Sequence, residues 1–403
     1  MVLNTFIADN LPFDLDILPD DCYLVGGAVR DVLLNRFRNY LDLDFVLPHS
    51  SIETARNIAN IYRAGFVILD HERFIARVVF PHATIDFAQQ EGNSIENDLL
   101  RRDYTINAIA YHCQERKIID PLKGKQDLEQ GIIRMVSRQN LKDDPLRLLR
   151  GYRQACQLNF YIESETRQTI KELTPFLIKV AAERVNNELS YLLASENSSY
   201  WLKEAFKDGL LSLYWQNIDE KKIIYLKKID FIIKHLQEKF SYFNNINNQS
   251  YSIVKLACLT DDNPEIAEKE LLNLKYSRQE IKSVITIIKY TPSLLEKDFI
   301  NNLSAQYFFF SAVGKVFPSL AIFALANDVN QDLINLLLNR YFDDNDSVAH
   351  PKPLLTGNDL MKFLKISPSP LIKQLLTDVQ IAYIEGKFTD QNGALQWIIN
   401  HRL

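Results

Sequence analysis

Glycine is scarce in this chain, twelve in 403 residues, and methionine and tryptophan are scarcer still at three each. The four cysteines, Cys22, Cys113, Cys156 and Cys258, stand far apart with no C-x-x-C pair. That spacing argues against a disulfide framework or a zinc ribbon and fits a reducing cytoplasm. Seven histidines without ligand spacing give no further reason to expect zinc. The net charge of -5 excludes a uniformly basic nucleic-acid binder, so any such contact must come from local patches. The opening MVLNTFIADNLPFDL lacks the basic start and continuous apolar run of a signal peptide. The longest apolar stretch, FFFSAVGKVFPSLAIFALA from Phe308, carries Lys315 and Pro318 in its middle. It reads as two buried helices joined near Pro318 and not as a membrane span.

What is present divides unevenly. A chain of this length exceeds one compact core. Up to about residue 135 strand and helix signals alternate: CYLV and LDLDFVL as strands, VRDVLLNRF and SIETARNIANIY as helices, and ARVVF-PHA-TIDFA as a hairpin turning at Pro81 and His82. Past residue 140 the strand signals stop, and DPLRLLRGYRQACQL, ETRQTIKELTPFLIKV and AAERVNNELSYLLA carry apolar residues at helical spacing. The fold class is α+β, a small mixed head followed by a long helical part. An asparagine-rich run opening the stretch 240–263 reads as a loop between helical modules, and VAHPKPLLT from Val348 to Thr356 as a second boundary.

Two of the few glycines stand together in LVGGAVRDVLLNRFRNYLDLDFVL, residues 24–47. Gly26 and Gly27 lie between a strand and a helix, where small residues let backbone N–H groups approach a phosphate; a tight turn with no ligand would use the same pair. Asp42 and Asp44, two apart on a strand, project to one side with Leu43 opposite. Two carboxylates held that way favour a hard cation such as Mg²⁺ between them, although solvated acids on an open strand face would read alike. Arg30 and Asp31 follow in the first turn of the helix: Arg30 is placed to reach a phosphate and Asp31 to complement the helix dipole. On the hairpin, Asp86 faces away from Ile85 and Phe87 and is a candidate third acid. Cradle and carboxylates on successive strands describe a site for a nucleoside triphosphate and its metal ions.

Five segments in one order then make a specific pattern: LVGGAVRD with LDLDFV, RRDYTINAIAY (101–111), DPLKGKQDLEQGIIR (120–134), DDPLRLLRGYRQA (143–155) and AAERVNNEL (181–189). They resemble the motifs of class II tRNA nucleotidyltransferases and bacterial poly(A) polymerases over the first half of the chain. The resemblance implies a polymerase-β-like nucleotidyltransferase head (1–135), neck helices that select the base (136–200), and a helical body (201–347) and tail (348–403) that bind tRNA. It implies that Asp42 and Asp44 bind two Mg²⁺ ions; the hairpin reading adds Asp86 as a candidate catalytic acid, with a solvated edge position as its alternative. Arg102, Asp103 and Asn107 would contact ribose and triphosphate, and Gly124 and Asp127 would form a hinge. Asp144 and Arg147, one turn apart on a helix, would imitate the pairing edge of a template base, with Arg150 also at the nucleotide. Asp143 stands where relatives carry Glu. Arg134, Arg138, Lys142, Arg150 and Arg153 would offer tRNA phosphates a basic surface, and Glu183 and Arg184 would support the neck. The tail departs from the family at Ser367, Pro368, Ser369 and Pro370, where relatives carry a Pro-Gly-Pro turn.

The implied substrates are tRNA and CTP, with ATP as well if the enzyme completes CCA. Family members that add the final A carry a longer flexible loop where this chain has DFAQQEGNSIENDLLRRD. The short form resembles CC-adding enzymes, which leave the A to a separate A-adding enzyme. Full CCA addition, poly(A) addition and a catalytically silent RNA-binding protein on the same fold are the alternatives.

Overall fold

The structure is a computed structural model and describes residues 2–37, 39–245, 248–296 and 298–402. The chain forms two compact units, Met1–Leu213 and Tyr214–Leu403. In the first, α1 (Val2–Asn10) precedes β1 (Tyr23–Val25), α2 (Gly27–Leu33), β2 (Leu41–Leu47), α3 (Ser51–Tyr62), β3 (Gly65–Asp70), β4 (Ile75–Phe80) and β5 (Ala83–Gln89). Then come α4 (Ile95–Leu100), β6 (Ala110–His112), β7 (Lys117–Ile119), α5 (Gly124–Gln130) and β8 (Ile132–Ile133). The strands β1 to β7 make one sheet in the order β3-β4-β5-β2-β1-β6-β7. Only β2 and β5 run parallel, and their register sets Asp42 beside Thr84 and Asp44 beside Asp86.

Along β2, Asp42 and Asp44 are exposed while Leu43 and Phe45 to Leu47 are buried. The alternation turns one face of the strand to solvent, and the aliphatic end anchors it. Phe45 stacks on Phe87 of β5 at 5.4 Å, and α3 covers this face with Ala55, Ile58 and Ala59. The acids are therefore mounted on a central, doubly paired strand, which fixes their direction.

Helices α6 (Arg138–Asp143) and α7 (Leu146–Leu158), strand β9 (Tyr161–Ile162), and helices α8 (Ser164–Leu173), α9 (Ala182–Leu193) and α10 (Ser198–Lys207) complete the unit. The expectation that strands stop by residue 140 is corrected here: β9 pairs in parallel with β8, a two-residue ribbon too short to leave a periodic signal. Two glycines permit close approach. A Cβ on Gly124 would collide with the Thr105 carbonyl, and one on Gly151 with the Tyr104 hydroxyl. Tyr104 is fully buried and donates to the Arg147 carbonyl at 2.6 Å, which ties the sheet side to α7.

The second unit is helical: α11 (Glu220–Lys239), α12 (Asn248–Leu259), α13 (Pro264–Asn273), α14 (Arg278–Tyr290), α15 (Leu303–Val313), α16 (Phe317–Ala326), α17 (Gln331–Phe342), α18 (Gly357–Leu364), α19 (Pro370–Ile384) and α20 (Gln391–Arg402). The loop expected from 240 is short, since α12 already begins at Asn248; Ile246 and Asn247 of that run lie outside the described residues. Residues 303–326 are long and apolar enough to cross a membrane by composition, yet 61% of that window is buried. The break lies at Gly314–Val316, where Gly314 takes φ +52°, and Pro318 sits in the first turn of α16 instead of marking the joint. The stretch 348–356 carries no regular element, and α18 to α20 close round their own core of Leu360, Leu375 and Ile398.

Candidate active site

Within the first unit, β2, the β1–α2 turn and α7 surround a cleft of about 480 Å³. Gly26 stands between β1 and α2 with φ +72° and ψ -137°, a conformation open to glycine and strained for other residues. A Cβ there would stand 3.0 Å from Arg102 Nη1 and 3.5 Å from Asp44 Oδ2. The turn, the arginine and the acid therefore meet at one point. Arg102 donates from Nη2 to Asp98 at 3.1 Å, while its buried Nε has no partner.

Asp44 is exposed to the open cleft, yet the protein crowded round it raises the cost of its charge and pushes its carboxyl up to about 6. Arg102 opposes that rise; Asp86 and Asp42 add to it. Such a carboxylate gains from a cation. Asp42 and Asp44 supply hard oxygen donors on one face, yet among the described residues no three His, Cys, Asp or Glu side chains form a metal-holding group. Asp86 lies beside Asp44 in register, and Arg77 holds both its oxygens, at 2.7 and 2.8 Å. Two carboxylates on one strand face are hard oxygen donors of the kind that hold a divalent cation when further oxygen ligands complete its shell.

On the helical side the charges pair with one another. Asp103, buried, accepts from Tyr104 N at 2.8 Å, Asn107 Nδ2 at 2.8 Å, Arg150 Nε at 2.9 Å and Gln154 Nε2 at 3.4 Å. Burial alone would raise its pKa, but Arg150 and these donors hold it well below the carboxylate range. Arg30 is mostly buried and commits its donors to Asp31 at 2.7 to 2.8 Å, Asn107 Oδ1 at 2.8 Å and Gln154 Oε1 at 3.4 Å. Asp31 thus meets Arg30, and it stands one residue past the first turn of α2.

The expected helical pair Asp144 and Arg147 is corrected. Asp144 is extended (φ -131°, ψ 91°) in the break between α6 and α7, because Pro145 follows it and disfavours the helical conformation. Asp144 accepts from Arg184 Nη2 at 2.8 Å, whereas Arg147 donates to the Arg101 carbonyl at 2.7 Å and the Asn140 carbonyl at 3.1 Å. Arg184, expected as neck support, lines the cleft. The expected basic surface is corrected too. Arg134 pairs with Asp127 and Glu163, Arg138 with Glu172, Arg150 with Asp103 and Glu188, and Arg153 with Glu188; Lys142 is exposed. Asp127 also accepts from Thr105 Oγ1 at 2.6 Å, so the region of Gly124 is tightly packed.

The chain's first 213 residues contain the match to the poly A polymerase head domain model, residues 22–134. Two further models match: the probable RNA- and SrmB-binding site of polymerase A over 159–218, and the putative tRNA nucleotidyltransferase domain 2 over 244–398. A CC-adding tRNA nucleotidyltransferase of Synechocystis sp. is 47% identical over 399 residues, 97% of this chain and 96% of its own. The chain belongs to the tRNA nucleotidyltransferase family. An A-adding tRNA nucleotidyltransferase of Deinococcus radiodurans is 38% identical over 203 residues, 48% of this chain and 45% of its own. The fold is that of the Thermotoga maritima CCA-adding enzyme solved with tRNA (TM-score 0.72, 22% identity, 94% of this chain and 90% of that one). Membership in the family implies a divalent metal. The partners Gln154, Glu188, Arg77 and Asp98 went unread in the sequence. Gln154 and Glu188 lie inside quoted motifs, and Arg77 faces Asp86 across the hairpin.

Proposed function

We propose that this tRNA nucleotidyltransferase extends tRNA 3′ ends with cytidine from CTP and stops after two additions, with Mg²⁺ as its metal. The acceptor's 3′-hydroxyl oxygen attacks the α-phosphorus, the α–β bridging bond breaks, pyrophosphate leaves, and the hydroxyl proton departs into the acidic cluster. Bound at Asp42 and Asp44, Mg²⁺ would lower the hydroxyl's pKa and stabilise charge on the leaving oxygen. The Gly26 turn and the Arg102 guanidinium beside it would receive the triphosphate. Asp86, once released by Arg77, would be the third acid. Arg30, Asp103, Asn107 and Arg150 would fix the floor under the ribose, and Asp144 with Arg147 and Arg184 would read the base.

One observation carries the CC limit. Only residues 90–94 join β5 to α4, and they are tied down: Glu91 N donates to Asp98 at 3.2 Å, Gln90 to the Gly92 carbonyl at 3.3 Å, and Ser94 caps α4. A connection that short and anchored leaves little chain to reshape the pocket from C to A. The full-length similarity to a CC-adding relative points the same way. A separate A-adding enzyme would then complete the end. A cytoplasmic location accords with a tRNA substrate and with four free cysteines.

The test is extension of a tRNA ending at its discriminator base, with Mg²⁺ and CTP, ATP or both, resolved to single nucleotides. Two C residues and no A are expected. A full CCA end would overturn the CC limit, and a long A ladder would overturn the substrate as well.

A further inference from the structure

Two exposed aromatic rings stand at one end of the cleft and have no part in the chemistry described so far. Phe37 and Tyr40, 59% and 47% exposed, lie on the loop that leads into β2, and both line the cleft that holds Asp42 and Asp44. Single exposed aromatics are ordinary on protein surfaces, but these are fastened. Phe37 stacks on Phe6 of α1 at 5.7 Å and 24°. The Tyr40 hydroxyl shares a 2.5 Å hydrogen bond with Thr84 Oγ1, and Thr84 is the register partner of Asp42. Arg36 pins the same loop through Nη1 to the Gln157 carbonyl at 2.8 Å.

The strand gives the cleft a direction. Residues two apart on β2 are about 6.5 Å apart along it. Asp44 adjoins Gly26 and Arg102, the end where phosphate donors gather, whereas Asp42 adjoins the Tyr40 end. A 3′-hydroxyl attacking in line must approach from the side opposite the departing pyrophosphate. That is the side of Phe37 and Tyr40.

We propose that Phe37 and Tyr40 form a stacking shelf for the terminal base of the RNA acceptor and hold its 3′-hydroxyl over Asp42. This rests on the nucleotidyltransfer reading above and adds acceptor-binding residues to it. Stacking on a ring face tolerates any base, which suits an acceptor whose last nucleotide changes after each addition.

The experiment measures KM for tRNA and for CTP separately in Phe37→Ala, Tyr40→Ala, the double variant and Phe37→Trp. Loss of one stacked base contact predicts a rise of roughly 10-fold in the tRNA KM for each alanine. The CTP KM, kcat at saturating tRNA and the melting temperature should stay near wild type, and Phe37→Trp should bind tRNA at least as well as wild type. A tRNA whose terminal nucleotide lacks its base should bind wild type as poorly as the intact tRNA binds the double variant, and should lose nothing further on that variant. An unchanged tRNA KM, or equal losses toward tRNA and CTP, would overturn the shelf while the function stands. Wild-type enzyme that fails to extend tRNA at all would overturn the function and the shelf together.

Discussion

On the sheet side of the cleft, Asp42 and Asp44 face solvent beside an arginine whose buried Nε has no partner. On the helical side, Asp103, Arg150, Glu188 and Arg153 spend their charge on one another. The difference separates two jobs. Carboxylates crowded on an open strand face, with the Asp44 carboxyl pushed up by its surroundings and by Asp86 and Asp42, are set for a cation that offsets their repulsion. Charges satisfied internally are set for shape: they hold α7 and α9 at a fixed distance from the sheet. Asp144 and Arg184 lie between these extremes, a half-exposed pair at the rim that a base could compete for.

The largest expected break in this comparison is on the sheet side. Asp42→Ala and Asp44→Ala should each lower CTP transfer by at least about 1,000-fold, about 4 kcal/mol in barrier, with the fold intact by circular dichroism. On the helical side, Asp103→Asn should act first on stability and cost about 3 kcal/mol by denaturant titration at pH 7. The sign with pH follows from its lowered pKa: the contribution is present above the unfolded value near 4 and is lost on acidification below it, so the gap to wild type should shrink in acid. A smaller break is expected at Gly26→Ala, where positive φ and the 3.0 Å approach of Arg102 should slow transfer by roughly 10-fold. The smallest effect runs the other way. Asp44 holds its proton more tightly in the folded state, so it stabilises below about pH 4 and loses that contribution as pH rises through about 6. Metal-free Asp44→Asn should therefore melt a few degrees above wild type at pH 7, about 1 kcal/mol after allowance for solvent screening, and equal to it near pH 4.

The sheet side was readable because its signals are local. A glycine pair, a D-x-D alternation and a hairpin turn each lie within one element, and Gly26, Asp42 and Asp44 meet where the strand pattern put them. The helical side depends on contacts distant in sequence: Arg30 to Asn107 and Gln154, Arg150 to Asp103, Arg184 to Asp144. No periodicity announces these. Spacing alone put Asp144 and Arg147 on one helix, and Pro145 broke that inference. The edge strand β3 passed unread because GFVILD is a short apolar run without alternation, directly after α3.

On the proposed function, the sheet side would perform transfer and the rim of the helical side would choose the base. The measurement is single-turnover incorporation of CTP and of UTP into tRNA ending at the discriminator base, by wild type, Asp42→Ala and Asp144→Ala. Asp42→Ala is expected to depress both nucleotides alike, whereas Asp144→Ala should narrow the preference for CTP by about 10-fold and retain most of the transfer rate. An unchanged CTP preference in Asp144→Ala, at whatever rate, would contradict that division of roles.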